Sequence, residues 1–183
     1  DEEAALSPPG ANGVVFLPYL SGERSPIWDP KATGAFFGIT GNAQRHDLVR
    51  AVLESSCYGI RQLLEIAEQS TGRSFSEINL FGGAAKSLIW GQMKADIVGK
   101  PINILEKNNA SVLGAAILAG VGVGLFHDIG QAVSLLDQKI FKRLTPTEDG
   151  QIKAILDARY RTYTALYPSI KDLFDWDRET IPR

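Results

Sequence analysis

Cysteine is nearly absent: Cys57 stands alone in 183 residues. A single thiol can form neither an intrachain disulfide nor a thiolate metal cluster, which suits a reducing compartment such as the cytoplasm. Histidine is almost as scarce, with only His46 and His127. Each precedes an aspartate, but no further spaced ligands surround either pair, so both read as helix-start residues and not as metal ligands. No apolar run reaches the ~20 residues that cross a bilayer. Nineteen Lys and Arg against 21 Asp and Glu give a net charge of -2. With no basic stripe, nothing in this balance recruits nucleic acid. Asp1-Glu2-Glu3 lacks the positive n-region of a signal peptide, and with no initiator Met the chain reads as a piece of a longer polypeptide.

Familiar catalytic signatures are also missing. There is no Gly-x-x-x-x-Gly-Lys-Ser/Thr phosphate loop, and Ser21, Ser25 and Ser55 lie in no Gly-x-Ser-x-Gly elbow. Gly120-Val121-Gly122-Val123-Gly124 follows a helical segment where a dinucleotide fingerprint would open one, so it reads as a helix-ending turn. Carboxylates are plentiful, but no spacing pairs two of them for acid–base work.

What is present describes an ordinary folded domain, with 44% hydrophobic and 22% charged residues. Residues 1–12 form an acidic, then turn-rich, exposed entry segment. Val14-Val15-Phe16-Leu17 and the glycine-flanked run 34–40 are predicted strands. Leu48, Val49, Val52, Leu53, Ile60, Leu63, Leu64 and Ala67 recur at helical spacing, and the helix ends near Thr71-Gly72. A strand over 77–82, a helix from Ser87 to Val98 and a strand over 102–105 follow. Ile89, Met93 and Ile97 share one face of that helix, which stops at Gly99 and Pro101. Further helices are expected around Leu113–Val121 and from Asp128 to Leu136. The last is expected to start at Thr145-Pro146-Thr147-Glu148, a capping box, and to end at Pro168. Alternating strands and helices give an α/β class.

The chain is organised around 78–90, Ile-Asn-Leu-Phe-Gly-Gly-Ala-Ala-Lys-Ser-Leu-Ile-Trp. A strand, a Gly-Gly turn and a helix opening at Ser87 bring backbone N–H groups close to whatever binds there. Lys86 could approach a phosphate or simply be solvated. Glu23 and Arg24, between Pro18 and Pro26, are suspicious charges near an active site or else a local ion pair holding the loop. Trp28 and Trp90 read as packing residues in preference to ligand contacts.

Four separated motifs together resemble one family. They are Leu17-Pro18-Tyr19-Leu20-Ser21-Gly22-Glu23-Arg24-Ser25-Pro26; Gly34-x-Phe36-x-Gly38-Ile39 with Asp47-Leu48 and Ala51-Val52-Leu53-Glu54; Gly82-Gly83-Ala84-Ala85-Lys86-Ser87 with Trp90, Gln92, Ala95, Asp96 and Ile97; and Glu106 with Leu113-Gly114-Ala115-Ala116 and Ala119-Gly120. In this order they resemble the C-terminal half of the FGGY carbohydrate kinases, most closely the xylulokinase-like members. The resemblance implies a ribonuclease H-like, actin-like ATPase domain spanning 1–183 and incomplete at its N-terminal edge. It also implies ATP with Mg²⁺, and a sugar bound mainly by an N-terminal catalytic domain that this sequence lacks. Gly82, Gly83, Ala84, Ser87 and Gln92 are the implied ATP-binding residues, with Ser87 where glycerol kinases carry Asn. Asp29, Asp47, Asp96 and Asp128 sit in other motifs, so none inherits the catalytic role and the chain alone is expected to be inactive. The implied acceptor is a ketose, D-xylulose first, with gluconate, another pentulose or a polyol as alternatives. A non-catalytic actin-like module and a homodimer both remain open.

Overall fold

The computed structural model describes residues 1–106, 110–136 and 139–175. A short helix α1 (Glu2–Ala5) and a 3-10 turn (Ala11–Gly13) lead into β1 (Val15–Leu17), which pairs antiparallel with β2 (Ala35–Phe37), Val15 opposite Phe37. The long helix α2 (Arg45–Thr71) follows. The Asp47 carboxylate accepts the Gln44 N–H at 2.9 Å at its start. Gly72, at φ 64°, ends it in the left-handed conformation that a Cβ disfavours.

A second sheet has the order β3 (Ile78–Leu80), β4 (Ile102–Leu105), β5 (Ile140–Leu144). β3 and β4 are parallel, joined through helix α3 (Leu88–Val98), and β5 returns antiparallel to β4. Between β4 and β5 come α4 (Ala110–Gly122) and α5 (Ile129–Ser134). Asp128 caps α5, accepting the Gln131 N–H at 2.7 Å. The C-terminal α6 (Gly150–Ile170) closes over β1 and α2 and runs into a 3-10 turn (Lys171–Phe174).

Three apolar clusters among the described residues hold these layers, the smallest of them Ala11, Val14, Phe16 and Ala51. Leu17 of β1 and Tyr19 after it, Cys57 and Tyr58 of α2, Met93 and Ile97 of α3, and Leu156, Tyr160, Tyr163 and Leu166 of α6 form the largest one. Ala95 with Ile102, Ile104 and Leu144 forms the core beneath α3. An Arg61 guanidinium ties α2 to α6, reaching Asp157 at 2.6 Å and lying 4.1 Å over the Tyr160 ring.

Six expectations change. The entry segment is exposed only in part: Ala4, Ser7 and Ala11 are buried, while Leu6 is exposed. The face that α2 buries carries Asp47, Ala51, Glu54, Ser55, Cys57 and Tyr58, whereas Val52 and Leu63 of the apolar series are exposed. Ile89 is likewise more exposed than Met93 and Ile97. Strand β5 was not expected, because Ile-Phe-Lys-Arg-Leu buries only its last residue. The capping box does not start α6. Thr145 O accepts from Gln92 and the Thr147 N–H donates to Asp96, so this stretch is tied to α3 and the helix starts later, capped by Asp149. The helix also continues through Pro168 to Ile170.

Candidate functional site

The turn after β3 is built from backbone. Gly82 takes φ 86°, ψ −165°, a conformation open essentially only to glycine. Its carbonyl accepts the Ala85 N–H at 3.2 Å, winding Gly83–Lys86 into a 3-10 turn. Ser87 then caps α3: its Oγ accepts the Trp90 N–H at 3.1 Å, and its carbonyl accepts from Gly91. The earlier N–H groups of a helix start have no intrahelical acceptor, so those of Leu88 and Ile89 point out of the first turn with the positive end of the helix dipole. A Cβ placed on Gly82 or Gly83 would meet, apart from its chain neighbours, no atom of the described residues within 4 Å. The turn therefore presents open space, backbone donors and the Ser87 hydroxyl proton, which capping leaves free to donate. These features can cradle a polar planar ligand with an anionic tail.

The other expected site residues divide. Ala84 lies within the 3-10 turn, and its side chain is outside the described residues. Lys86 is exposed beside the turn. Gln92 faces inward: its amide hydrogens go to Asp96 Oδ1 and Thr145 O, both at 2.8 Å. It shapes the neighbourhood by fixing the strand-to-helix connection against α3. Trp90 packs as expected, but Trp28 does not, being 79% exposed.

The Glu23–Arg24 loop is not held by a local ion pair. Glu23 Oε1 instead accepts the backbone N–H groups of Arg24 and Ser25 at 2.7 and 2.9 Å, and Glu23 and Asp29 pair through their backbones. The Arg24 side chain is exposed and forms no ion pair among the described residues. Asp29 accepts the Tyr167 hydroxyl at 2.9 Å, anchoring the loop to α6. A pocket of about 300 Å³ opens there between Lys31, Tyr167, Lys171 and Phe174, and includes no residue of the Gly-Gly turn.

Two acids acquire a role that spacing did not reveal. Asp47 and Glu54, both fully buried, lie two turns apart on one face of α2. Asp47 accepts from the Ser7 hydroxyl and from Asn12 Nδ2. Glu54 accepts the Gly10 N–H at 3.0 Å, the Tyr58 hydroxyl at 3.0 Å and Arg50 Nε at 2.6 Å. Between them they clamp residues 10–13, four consecutive residues with positive φ, two of which (Ala11 and Asn12) are not glycine. The Ser7 hydroxyl, with the Gln44 N–H next, holds the Asp47 carboxyl below the usual carboxylate range. The legible signal was a pair of acids seven apart on a helix face that must be buried. Among the described residues no three His, Cys, Asp or Glu side chains gather to hold a metal ion. Mg²⁺ therefore finds no ready cage of side chains there.

Comparison with known proteins places this geometry. Residues 1–123 match the C-terminal domain of the FGGY family of carbohydrate kinases. A xylulose kinase of Staphylococcus epidermidis is 36% identical over 93% of the chain, and the gluconokinase of Bacillus subtilis 32% identical over 91%. The chain spans about a third of these relatives, 34% and 31% of their lengths. It superposes on the crystal structure of a ligand-bound xylulose kinase from Lactobacillus acidophilus with a TM-score of 0.77 and 28% identity, covering 93% of this chain and 34% of that one. Such kinases have the ribonuclease H-like, actin-like ATPase fold, which the mixed α/β architecture shares. With the family match over two thirds of its length, the chain belongs to the FGGY carbohydrate kinases.

Proposed function

We propose that this chain is the ATP-binding part of a sugar kinase that transfers the γ-phosphate of ATP to a ketose hydroxyl, D-xylulose giving D-xylulose 5-phosphate. The open Gly82-Gly83 turn at the start of α3 carries this reading. The two glycines admit the nucleoside against the backbone. The first N–H groups of α3 and the Ser87 hydroxyl supply donors. Phosphoryl transfer is mainly positioning and charge stabilisation, so a rigid nucleotide platform is a large share of the catalyst.

The acids of this chain support a division of labour. Asp47 is buried and hydrogen-bonded, Asp96 accepts from Gln92 and Thr147, Asp29 from Tyr167 and Lys31, and Asp128 caps α5. Each of the four thus already serves a structural hydrogen bond, and none is singled out as the base for a sugar hydroxyl. That base, and the groups that hold Mg²⁺ on the phosphates, are assigned to a separate N-terminal domain such as the longer relatives have length for. Resemblance to the gluconokinase supports gluconate as the second substrate reading.

Thermal melting in rising ATP tests the proposal. A ligand that binds only the folded state stabilises it by about 2.7 kcal/mol at a hundred times its dissociation constant. The melting temperature is expected to climb with ATP up to millimolar concentrations. The shift should vanish in Gly83→Val, whose added side chain meets open space and leaves the fold intact. A wild-type chain unmoved by millimolar ATP would overturn the reading.

A further inference from the structure

The Gly-Gly turn is seated on the second sheet by Ala85, packed with Ala95, Ile102 and Ile104, and is tied toward α2 by Trp90. The Trp90 N–H donates to Ser87 Oγ, so Trp90 closes the cap on which the turn ends. Its indole Nε1–H reaches across to α2, lying 3.1 Å from both Leu53 O and Ser56 Oγ. The ring carries the Lys94 ammonium at 3.6 Å from its centroid. One residue thus fixes the first turn of α3 to the long helix through a bifurcated donor and a loaded aromatic face. Among the described residues, the 3-10 turn itself has no side-chain hydrogen bond to α2. A short backbone turn opening on two glycines has little stiffness of its own, so its position relative to α2 follows Trp90.

From this we infer that Trp90 is the positioning residue of the nucleotide turn, acting through Ser87 and held by Leu53 and Ser56 of α2. The inference rests on the ATP-binding reading above. Its indole N–H sets where the turn stands, while the ring itself need not touch the ligand.

ATP affinity by calorimetry separates positioning from general stability. Trp90→Phe keeps an aromatic ring for Lys94 and removes only the indole donor. Its dissociation constant for ATP is expected to rise about tenfold, the order of one lost hydrogen bond. Tyr160→Phe, which deletes a hydroxyl bonded to Glu65 on the far side of α2, is the control. It should lower the melting temperature but leave ATP affinity within about twofold of wild type, a margin under 0.5 kcal/mol by the tenfold-per-1.4 rule. Ser56→Ala removes one of the two acceptors and is expected to weaken ATP about threefold, which keeps the test alive if Trp90→Phe fails to fold. Unchanged affinity in Trp90→Phe or Ser56→Ala, or equal weakening in Tyr160→Phe, would overturn the positioning role while leaving ATP binding intact. Absence of ATP binding by the unsubstituted chain would overturn the functional reading, and the inference with it.

Discussion

Lys94 is buried, 3% exposed, with no carboxylate in ion-pair range among the described residues. Its Nζ has the Trp90 ring and, at 3.5 Å, the Trp90 carbonyl. A cation–π contact of this kind contributes about 2 kcal/mol when desolvated, less than the several kcal/mol that burying an ammonium costs. Desolvation accordingly pulls the Lys94 pKa below its ordinary value of 10.5. The folded state then holds the proton less tightly than the unfolded one. The resulting penalty is complete below the folded pKa, shrinks as pH rises through it, and is gone above 10.5. Lys94→Met should therefore be more stable by about 1–4 kcal/mol at pH 7 in urea unfolding, with the advantage narrowing toward pH 10. Equal stability at both pH values would refute it. The neighbouring Cys57 is pushed by burial to about 12, so its thiol stays neutral and inert.

At the scale of elements, α3 and the second sheet meet at Gly91. A Cβ there would stand 2.7 Å from Leu144 Cδ1 and 3.6 Å from Ile104 Cδ1, and Leu144 is itself buried with little room to turn. Gly91→Val is expected to cost about 1–3 kcal/mol by overpacking, read as a lower denaturant midpoint. Combining it with Leu144→Ala should recover part of that loss, whereas additive losses would argue against this contact. The elements also show what pattern reading reaches. Helices α2 and α3 were legible with their glycine stops, because capping is a local signal. Strand β5 and the start of α6 were not, because Lys142 and Arg143 break the apolar run and Gln92 and Asp96 claim the backbone of the 145–147 stretch.

At the scale of the whole molecule, helix α3 joins the cores of two small sheets, Met93 and Ile97 facing one and Ala95 the other. Helix α4 carries no charge along Ala110–Gly122, yet Val112 and Leu118 are 71% and 63% exposed. An apolar helix is ordinarily buried all round, but here only the side carrying Leu113, Ile117, Gly120 and Val121 is covered by described residues, Gly120 lying against Phe126. With the base assigned to a separate N-terminal domain, the chain by itself is expected to bind ATP without turning it over. An assay of ATP-dependent D-xylulose phosphorylation with this polypeptide alone checks this. Turnover in the kinase range, about 1–100 s⁻¹, would show that the missing base is here after all.

By itself, the sequence determined the family, the α/β class, the order of most elements and the Gly-Gly turn as the place to look. Each of these is carried by residues close together in the chain: glycines at the turn, a serine cap, motifs of contiguous residues. Only the tertiary structure decided that Asp47 and Glu54 clamp the entry segment, that Gln92 commits its amide to Asp96 and Thr145, that Trp28 stands exposed, and that Trp90 ties the Gly-Gly turn to α2. The long-range partners among these lie 34 to 53 positions apart, from Ser56 and Trp90 to Gln92 and Thr145. Periodicity shows which residues share a face; which polar group the returning chain sets against that face is settled by packing.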